Sequence, residues 1–174
     1  CHDAAMRLPM ALTGPGFASG VRLQEMISLV DIPPTLLDAC GIPVPAQMQG
    51  RSFAPLARES VADWPEEVYA DIYETNLSRC VRTKRWKYSV RKTEEGPEKG
   101  SSWTFREDCL YDLLADPYEL NNLAGLESHR QVANVMQARL TRRMIAAGED
   151  EPEIEPASTV PDRRLPVREE ETLQ

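Results

Sequence analysis

Ser28-Leu-Val-Asp-Ile-Pro-Pro-Thr-Leu-Leu-Asp-Ala-Cys-Gly-Ile-Pro43 decides the fold class. The apolar run Met26 to Val30 stops at Pro33-Pro34, and proline is tolerated in a first helical turn because its missing N–H has no intrahelical partner there. Asp31 stands where a cap for the orphan amides belongs, so the spacing predicts a short helix from about Pro33 to Ala39 capped by Asp31. Gly41 then ends it. Upstream, residues 9 to 13 read as a buried strand closed by the turn Thr13-Gly-Pro-Gly16. Strand, helix and glycine in that succession make an α/β pattern rather than a bundle.

Downstream of this segment the pattern changes. Ile42 to Gly50 reads as loop, Phe53 to Arg58 as a single helical turn, and Trp64-Pro65 as a boundary. Val68 to Tyr73 and Arg79 to Thr83 read as strands, and Thr83-Lys84-Arg85 as a hairpin turn. Trp86, Tyr88 and Val90 alternate with Lys87, Ser89 and Arg91, which predicts a half-buried strand with the second set in water. Thr93 to Ser102 is a connecting loop, and Asp108 to Asp112 a further strand. Val132, Met136, Leu140 and Met144 recur every four residues, so a helix there covers one sheet face and stops at Gly148. From Glu149 onward acid and proline dominate, which predicts a mobile or loosely docked tail. The C-terminal part is thus α+β.

The 174 residues carry a net charge of -8, so no electrostatic argument favours nucleic acid or an anionic membrane as partner. No run approaches the ~18 apolar residues of a membrane span. Cys1, Cys40, Cys80 and Cys109 show no paired-ligand spacing. Cys80 and Cys109 both sit in strand-like segments, where a bridge between adjacent strands stays open, as does the redox compartment. The chain begins at Cys1 and reads as truncated there, with any signal upstream and periplasmic, extracellular or cytoplasmic location all open. A lipidated Cys1 is the alternative. Oligomeric state is not legible.

Two imidazoles are available. His129 falls in the C-terminal helical pattern and reads as solvent-facing. His2 stands just before the first strand, at an edge where α/β folds place functional groups, and is a candidate for substrate contact. Arg79, Arg82, Lys84, Arg85, Lys87, Arg91 and Lys92 concentrate positive charge; alternation makes them a solvated sheet edge, with Arg82 the member reserved for anion contact because it precedes the turn. Asp31, Asp38, Asp71, Asp112 and Asp116 match caps, strand ends and turns rather than a calcium loop.

Three separated stretches carry a resemblance: residues 28 to 43 with Gln49-Gly-Arg-Ser-Phe53, then Cys80-Val-Arg-Thr-Lys-Arg-Trp-Lys-Tyr88, then Leu110-Tyr-Asp-Leu113 with Asp116-Pro-Tyr-Glu-Leu-Asn-Asn-Leu123. In this order they resemble the C-terminal portion of type I, formylglycine-dependent sulfatases of the alkaline-phosphatase-like superfamily, over about residues 1 to 147. The resemblance implies that residues 1 to 60 end a large α/β domain and that residues 66 to 147 form a small antiparallel sheet packed by a helix, with 148 to 174 as tail. It implies hydrolysis of sulfate esters in the parent protein, with calcium as the divalent metal. The Cys-x-Pro-x-Arg motif that yields formylglycine and the paired metal-binding aspartates are absent from this sequence, so no catalytic or metal residue is assigned and the isolated chain is expected to be inactive. His2 lies close after the position of the family's catalytic lysine, which makes it, with Arg82, the substrate-pocket candidate. A phosphonate or phosphodiester hydrolase of the same superfamily, or a non-catalytic partner-binding remnant, are the alternatives.

Overall fold

The computed structural model describes residues 2–17, 20–58, 61–73, 77–93, 104–167 and 169–172. Its elements are α1 (Asp3–Met6), α2 (Ile32–Ala39), β1 (Glu67–Ile72), β2 (Ser78–Thr83), β3 (Trp86–Lys92), β4 (Thr104–Asp112), α3 (Arg130–Ala146), β5 (Glu153–Glu155) and α4 (Glu169–Thr172), with 3-10 turns at Leu29–Asp31, Ala54–Ala57 and Glu127–His129. This is a mixed α/β chain. It divides into two compact units, one of Leu8–Val68 and one of Cys1–Arg7 with Tyr69–Gln174. Cys1 and most of the loop read at 93 to 102 lie outside the described residues. No helix among the described residues is long and apolar enough to cross a membrane.

In the Leu8–Val68 unit the expected helix forms, and Gly41 leaves it at φ +69. Asp31 does not cap it. The second and third helical residues, whose amides an N-cap side chain would receive, are Pro33 and Pro34, and neither has an N–H to give. The carboxylate instead accepts the Ser28 amide at 2.8 Å and the Arg51 amide at 2.8 Å, which ties the turn before α2 to the Gly50-Arg51-Ser52 loop. Thr35 extends this clamp: its hydroxyl donates to the Asp31 carbonyl and accepts the Phe53 amide. Gly50 is required by contact, since a Cβ there would lie 1.8 Å from the Val30 carbonyl oxygen.

The strand expected at residues 9 to 13 does not form. Leu8 and Met10 are 58% and 46% exposed in irregular backbone, and Met26 to Val30 is likewise coil running into a 3-10 turn. A strand needs a neighbour for its amides and carbonyls, and among the described residues every strand of the sheet lies at or beyond Glu67.

The second unit is built on a five-stranded sheet in the order β1-β2-β3-β4-β5. β2, β3 and β4 run antiparallel, and β5 adds to β4 in parallel. Lys84 and Arg85 make the two-residue turn between β2 and β3; the Thr83 hydroxyl accepts the Trp86 amide at 2.9 Å, closing the turn without a glycine. Val81, Trp86, Tyr88, Val90, Phe105 and Leu110 form one face, and the predicted stripe of α3, Val132, Met136, Leu140 and Met144, packs on it with exposures of 0–1%.

Two expectations are corrected here, and the question left open for Cys80 and Cys109 is answered. The tail after Gly148 is docked: β5 joins the sheet, Val160 bridges to Leu126, the Val167 amide donates to the Ser128 carbonyl, and Ile154 and Val167 pack on the core. Isolated apolar residues in an acidic segment suffice because a sheet edge supplies the backbone partners. His129 is buried rather than solvent-facing, because it sits in the 3-10 turn preceding α3 with its ring edge-on to Trp86 at 6.2 Å. The Ser128 hydroxyl lies 2.7 Å from His129 Nδ1 and donates its own proton to Asp162, so Nδ1–H is the donor of that pair. Cys80 and Cys109 are free thiols. They share a row, but Ser89 of β3 stands between them, so their backbones are two strand spacings apart, roughly 9.6 Å and beyond disulfide reach.

Candidate functional site

The sheet face opposite α3 is polar. Registers place Arg82 beside Lys87 beside Tyr111 in one row, and Cys80 beside Ser89 beside Cys109 in the next, and period-two alternation puts all six on that face. Lys87 and Ser89 are each 1% exposed, which corrects the expectation that they face water. The cover is supplied by the first residues of the chain and by the Asp116–Asn121 loop, which bring His2, Asp3 and Glu119 over Lys87.

Glu119 is the hub of this cluster. It is buried, and its backbone sits at φ +57, a conformation that costs a non-glycine residue of order 1 kcal/mol and is held only where the surroundings dictate it. Asp116 dictates it, accepting the Glu119 amide on its carbonyl and the Asn121 amide on its carboxylate at 2.7 Å. One Glu119 oxygen forms an ion pair with the Lys87 ammonium. The other accepts the Asp3 amide at 2.8 Å and faces His2 Nδ1 at 3.1 Å. Asp3 in turn takes a two-pronged contact from Arg82, at 2.9 Å from Nε and 2.8 Å from Nη2, and lies 3.8 Å from Lys87. The Tyr111 ring completes the set, with Lys87 5.4 Å above its centroid and the His2 ring 6.2 Å away.

Burial by itself would raise the Asp3 pKa, but the Arg82 contact and the Lys87 charge hold it below the usual carboxylate value. Burial pulls Lys87 below the ordinary lysine value, and nearby Asp3 opposes that pull. The Cys80 thiol is pushed up to about 12 by burial and Cys109 is also raised by burial, so neither is a thiolate nucleophile. Among the described residues no three His, Cys, Asp or Glu side chains converge as a metal site. Asp3 and Glu119 already face Arg82 and Lys87, so the residues present do not fit the divalent ion that the resemblance implies.

The structure pairs Arg82 with the Asp3 carboxylate and sets His2 against Glu119, with His2 the solvent-facing member, its side chain 64% exposed. The reading of the basic residues as a solvated edge holds for Lys84, Arg91 and Lys92, which are exposed, and is corrected for the other four. Arg79 is buried against Glu149, Arg82 is paired with Asp3, Arg85 with Asp112 and Lys87 with Glu119, because both sheet faces are covered. Asp3, Tyr111 and Glu119 were not singled out by sequence, and Lys87 was read only as one of the solvated basic residues. The only signal for Glu119 was its place in Asp116-Pro-Tyr-Glu119, and neither its conformation nor its partner is legible there.

The chain matches the family model described as N-sulphoglucosamine sulphohydrolase, C-terminal, over residues 1–146. It is 32% identical to arylsulfatase K of Homo sapiens, covering 71% of this chain and 23% of that protein. It is 30% identical to an N-acetylglucosamine-6-O-sulfatase of Bacteroides thetaiotaomicron, covering 71% and 22%. A solved structure in complex with its substrate D-glucosamine-2-N,6-O-disulfate superposes with a TM-score of 0.58 at 25% identity, over 70% of this chain and 24% of that one. A phosphonate monoester hydrolase from Silicibacter pomeroyi shares the fold, with a TM-score of 0.63 at 19% identity over 80% and 28%. The chain therefore spans about a quarter of the length of the curated relatives it matches. By these matches the chain belongs to the N-sulphoglucosamine sulphohydrolase C-terminal family, and it is similar to the C-terminal portion of sulfatases of the alkaline-phosphatase-like superfamily.

Proposed function

We propose that the protein containing these residues hydrolyses sulfate esters, and that this portion completes its fold and contributes one wall of the substrate pocket through His2 and Arg82. The observation that carries the reading is the family match over residues 1–146, which includes the segments that build the His2–Asp3–Glu119–Lys87 cluster. Sugar sulfates are the favoured class, since the matched family and two of the relatives are named for glucosamine sulfates. Sulfate transfer needs an activated nucleophile and positive charge free to meet the developing oxyanion. Arg79, Arg82, Arg85 and Lys87 are each committed to a carboxylate of this chain and Cys80 stays protonated. Under this reading the formylglycine and the calcium lie outside the 174 residues, and the isolated chain is inactive.

The test compares the complete product of the gene with the 174-residue chain, both purified, on 4-nitrophenyl sulfate, glucosamine 6-sulfate and a phenyl phosphonate monoester. Sulfate release by the complete product and none by the chain alone is expected. Faster turnover of the phosphonate ester would reassign the activity to the neighbouring hydrolase class. Absence of hydrolysis on all three, with the protein folded, would leave the non-catalytic reading standing.

A further inference from the structure

We infer that Glu119, anchored by Lys87, is a positioning residue that fixes His2 in one tautomer and turns its Nε2 atom outward as the acceptor for a hydroxyl of the substrate. The inference rests on the reading that His2 borders the pocket. Its physical basis is a count of donors and acceptors. An ionised carboxylate only accepts. Glu119 is kept ionised by the buried Lys87 ammonium on one oxygen, while its other oxygen takes the Asp3 amide. Whatever faces that second oxygen must donate, so His2 Nδ1 carries the proton at 3.1 Å. In the neutral ring the proton on Nδ1 leaves a lone pair on Nε2. Nδ1 stays protonated in either charge state of the ring, so Nε2 is the atom that can exchange its role.

The surroundings leave little freedom to alter this. The Tyr111 ring flanks the imidazole, and the Glu119 backbone is locked at φ +57 by Asp116. Glutamine cannot replace Glu119 neutrally. Its single carbonyl oxygen can face Lys87 or the Asp3 amide but not both, so one N–H of its amide opposes another donor. With the amide nitrogen turned to His2, the ring must accept at Nδ1 and place its proton on Nε2. The outward atom then becomes a donor. The ligand chemistry follows: a neutral, outward Nε2 acceptor suits a sugar hydroxyl next to the sulfated position, whereas a bare aryl sulfate has no group for it.

The first readout is independent of catalysis. Nitrogen NMR of the 15N-histidine-labelled 174-residue chain, read on the high-pH plateau of the His2 signals, is expected to show Nδ1 protonated and Nε2 bare at His2, with His129→Gln used for assignment. Glu119→Gln is expected to move the proton to Nε2. An Nε2–H ring in the unmodified chain would overturn the proposal. The second readout uses the complete enzyme. His2→Ala, whose side chain lies in solvent and supports no core, is expected to raise KM for glucosamine 6-sulfate about three- to tenfold with kcat nearly constant, the worth of one hydrogen bond. The loss on 4-nitrophenyl sulfate, which offers Nε2 no hydroxyl, should be smaller. Equal losses on both esters, or none on either, would overturn the hydroxyl contact. If the complete protein hydrolyses no sulfate ester, the sulfatase reading fails on its own, and the tautomer measurement still decides whether Glu119 sets His2.

Discussion

Lys87 of β3 and Glu119 of the Asp116–Asn121 loop form an ion pair in which the side chains are 1% and 4% exposed. Such a pair is worth little against an apolar replacement of both partners, yet losing one partner strands a buried charge. Lys87→Met is therefore expected to lower unfolding free energy by about 3–5 kcal/mol. Adding Glu119→Gln should cost less than the two single changes summed, because it removes the stranded charge. Urea unfolding of the four proteins in a double-mutant cycle gives the answer, and strict additivity would mean that the pair is not coupled.

A second buried cation ties the tail to the sheet. Arg79 lies between the rings of Tyr73 and Phe105, 4.6 and 5.7 Å from their centroids, and donates to Glu149 at 2.8 Å, where Tyr69 also donates. Glu149→Gln should destabilise the Tyr69–Gln174 portion by about 1.5–3 kcal/mol, the range for hydrogen bonds to charged groups. Protease cleavage after residue 149 should quicken in parallel. An unchanged cleavage rate would show that the tail is held by β5 and Val167 alone.

Acid should loosen the same unit through His129. Burial, then the Arg164 cation, hold this imidazole below its ordinary 6.5, with Asp162 and Asp112 pulling the other way and Arg85 adding to the depression. The unfolded chain takes up a proton as pH falls through 6.5, while the folded chain refuses it until lower pH. Stability contributed by the neutral ring is complete above 6.5 and is lost progressively below it. His129→Gln should flatten the stability profile between about pH 5 and 7, a window above the ordinary carboxylate range. A profile as steep as that of the unmodified protein would count against this origin.

In the Leu8–Val68 unit, Gly50→Ala should break the clamp between Asp31 and Arg51. The added carbon meets the Val30 carbonyl at 1.8 Å and the Asp31 amide nitrogen at 2.9 Å, both backbone atoms that cannot swing aside. A cost of about 1–3 kcal/mol follows from overpacking. Hydrogen exchange should report it as faster exchange at the Arg51 and Phe53 amides, which donate to Asp31 and Thr35. Unchanged protection there would show that the loop absorbs the methyl group.

What could be read from the sequence was whatever depends on local pattern. The stripe Val132, Met136, Leu140 and Met144 announced a buried helix face, and the alternation of Trp86, Tyr88 and Val90 announced the core side of β3. The same alternation misled for Lys87 and Ser89, because period two tells which residues share a face and not whether that face is covered. The cover of Lys87 comes from residues 2–3 and 119, more than 30 residues away along the chain in either direction, and contacts of that separation leave no local trace. His129 misled for a related reason: a helical period extended one turn too far placed it in α3, when it belongs to the preceding 3-10 turn. His2 was proposed from its position alone, and its partner Glu119 was hidden by a backbone conformation that favours glycine and so was not expected of glutamate.

The register slip in β4 sets which change of chain length the sheet can absorb. Ser89 pairs with Cys109 and Val90 with Glu107, so Asp108 is passed over by the ladder. That single supernumerary residue keeps Glu107 and Phe105 on the α3 side, where Glu107 receives Tyr88, Arg130 and the Ala157 amide. Deleting Asp108 would close the ladder and leave every other side chain on its present side. Deleting Arg106 instead would either keep the slip and turn Phe105 out of the core, or close the ladder and put Asp108 where Glu107 now receives Tyr88 and Arg130, so two deletions of equal length, two positions apart, have different consequences.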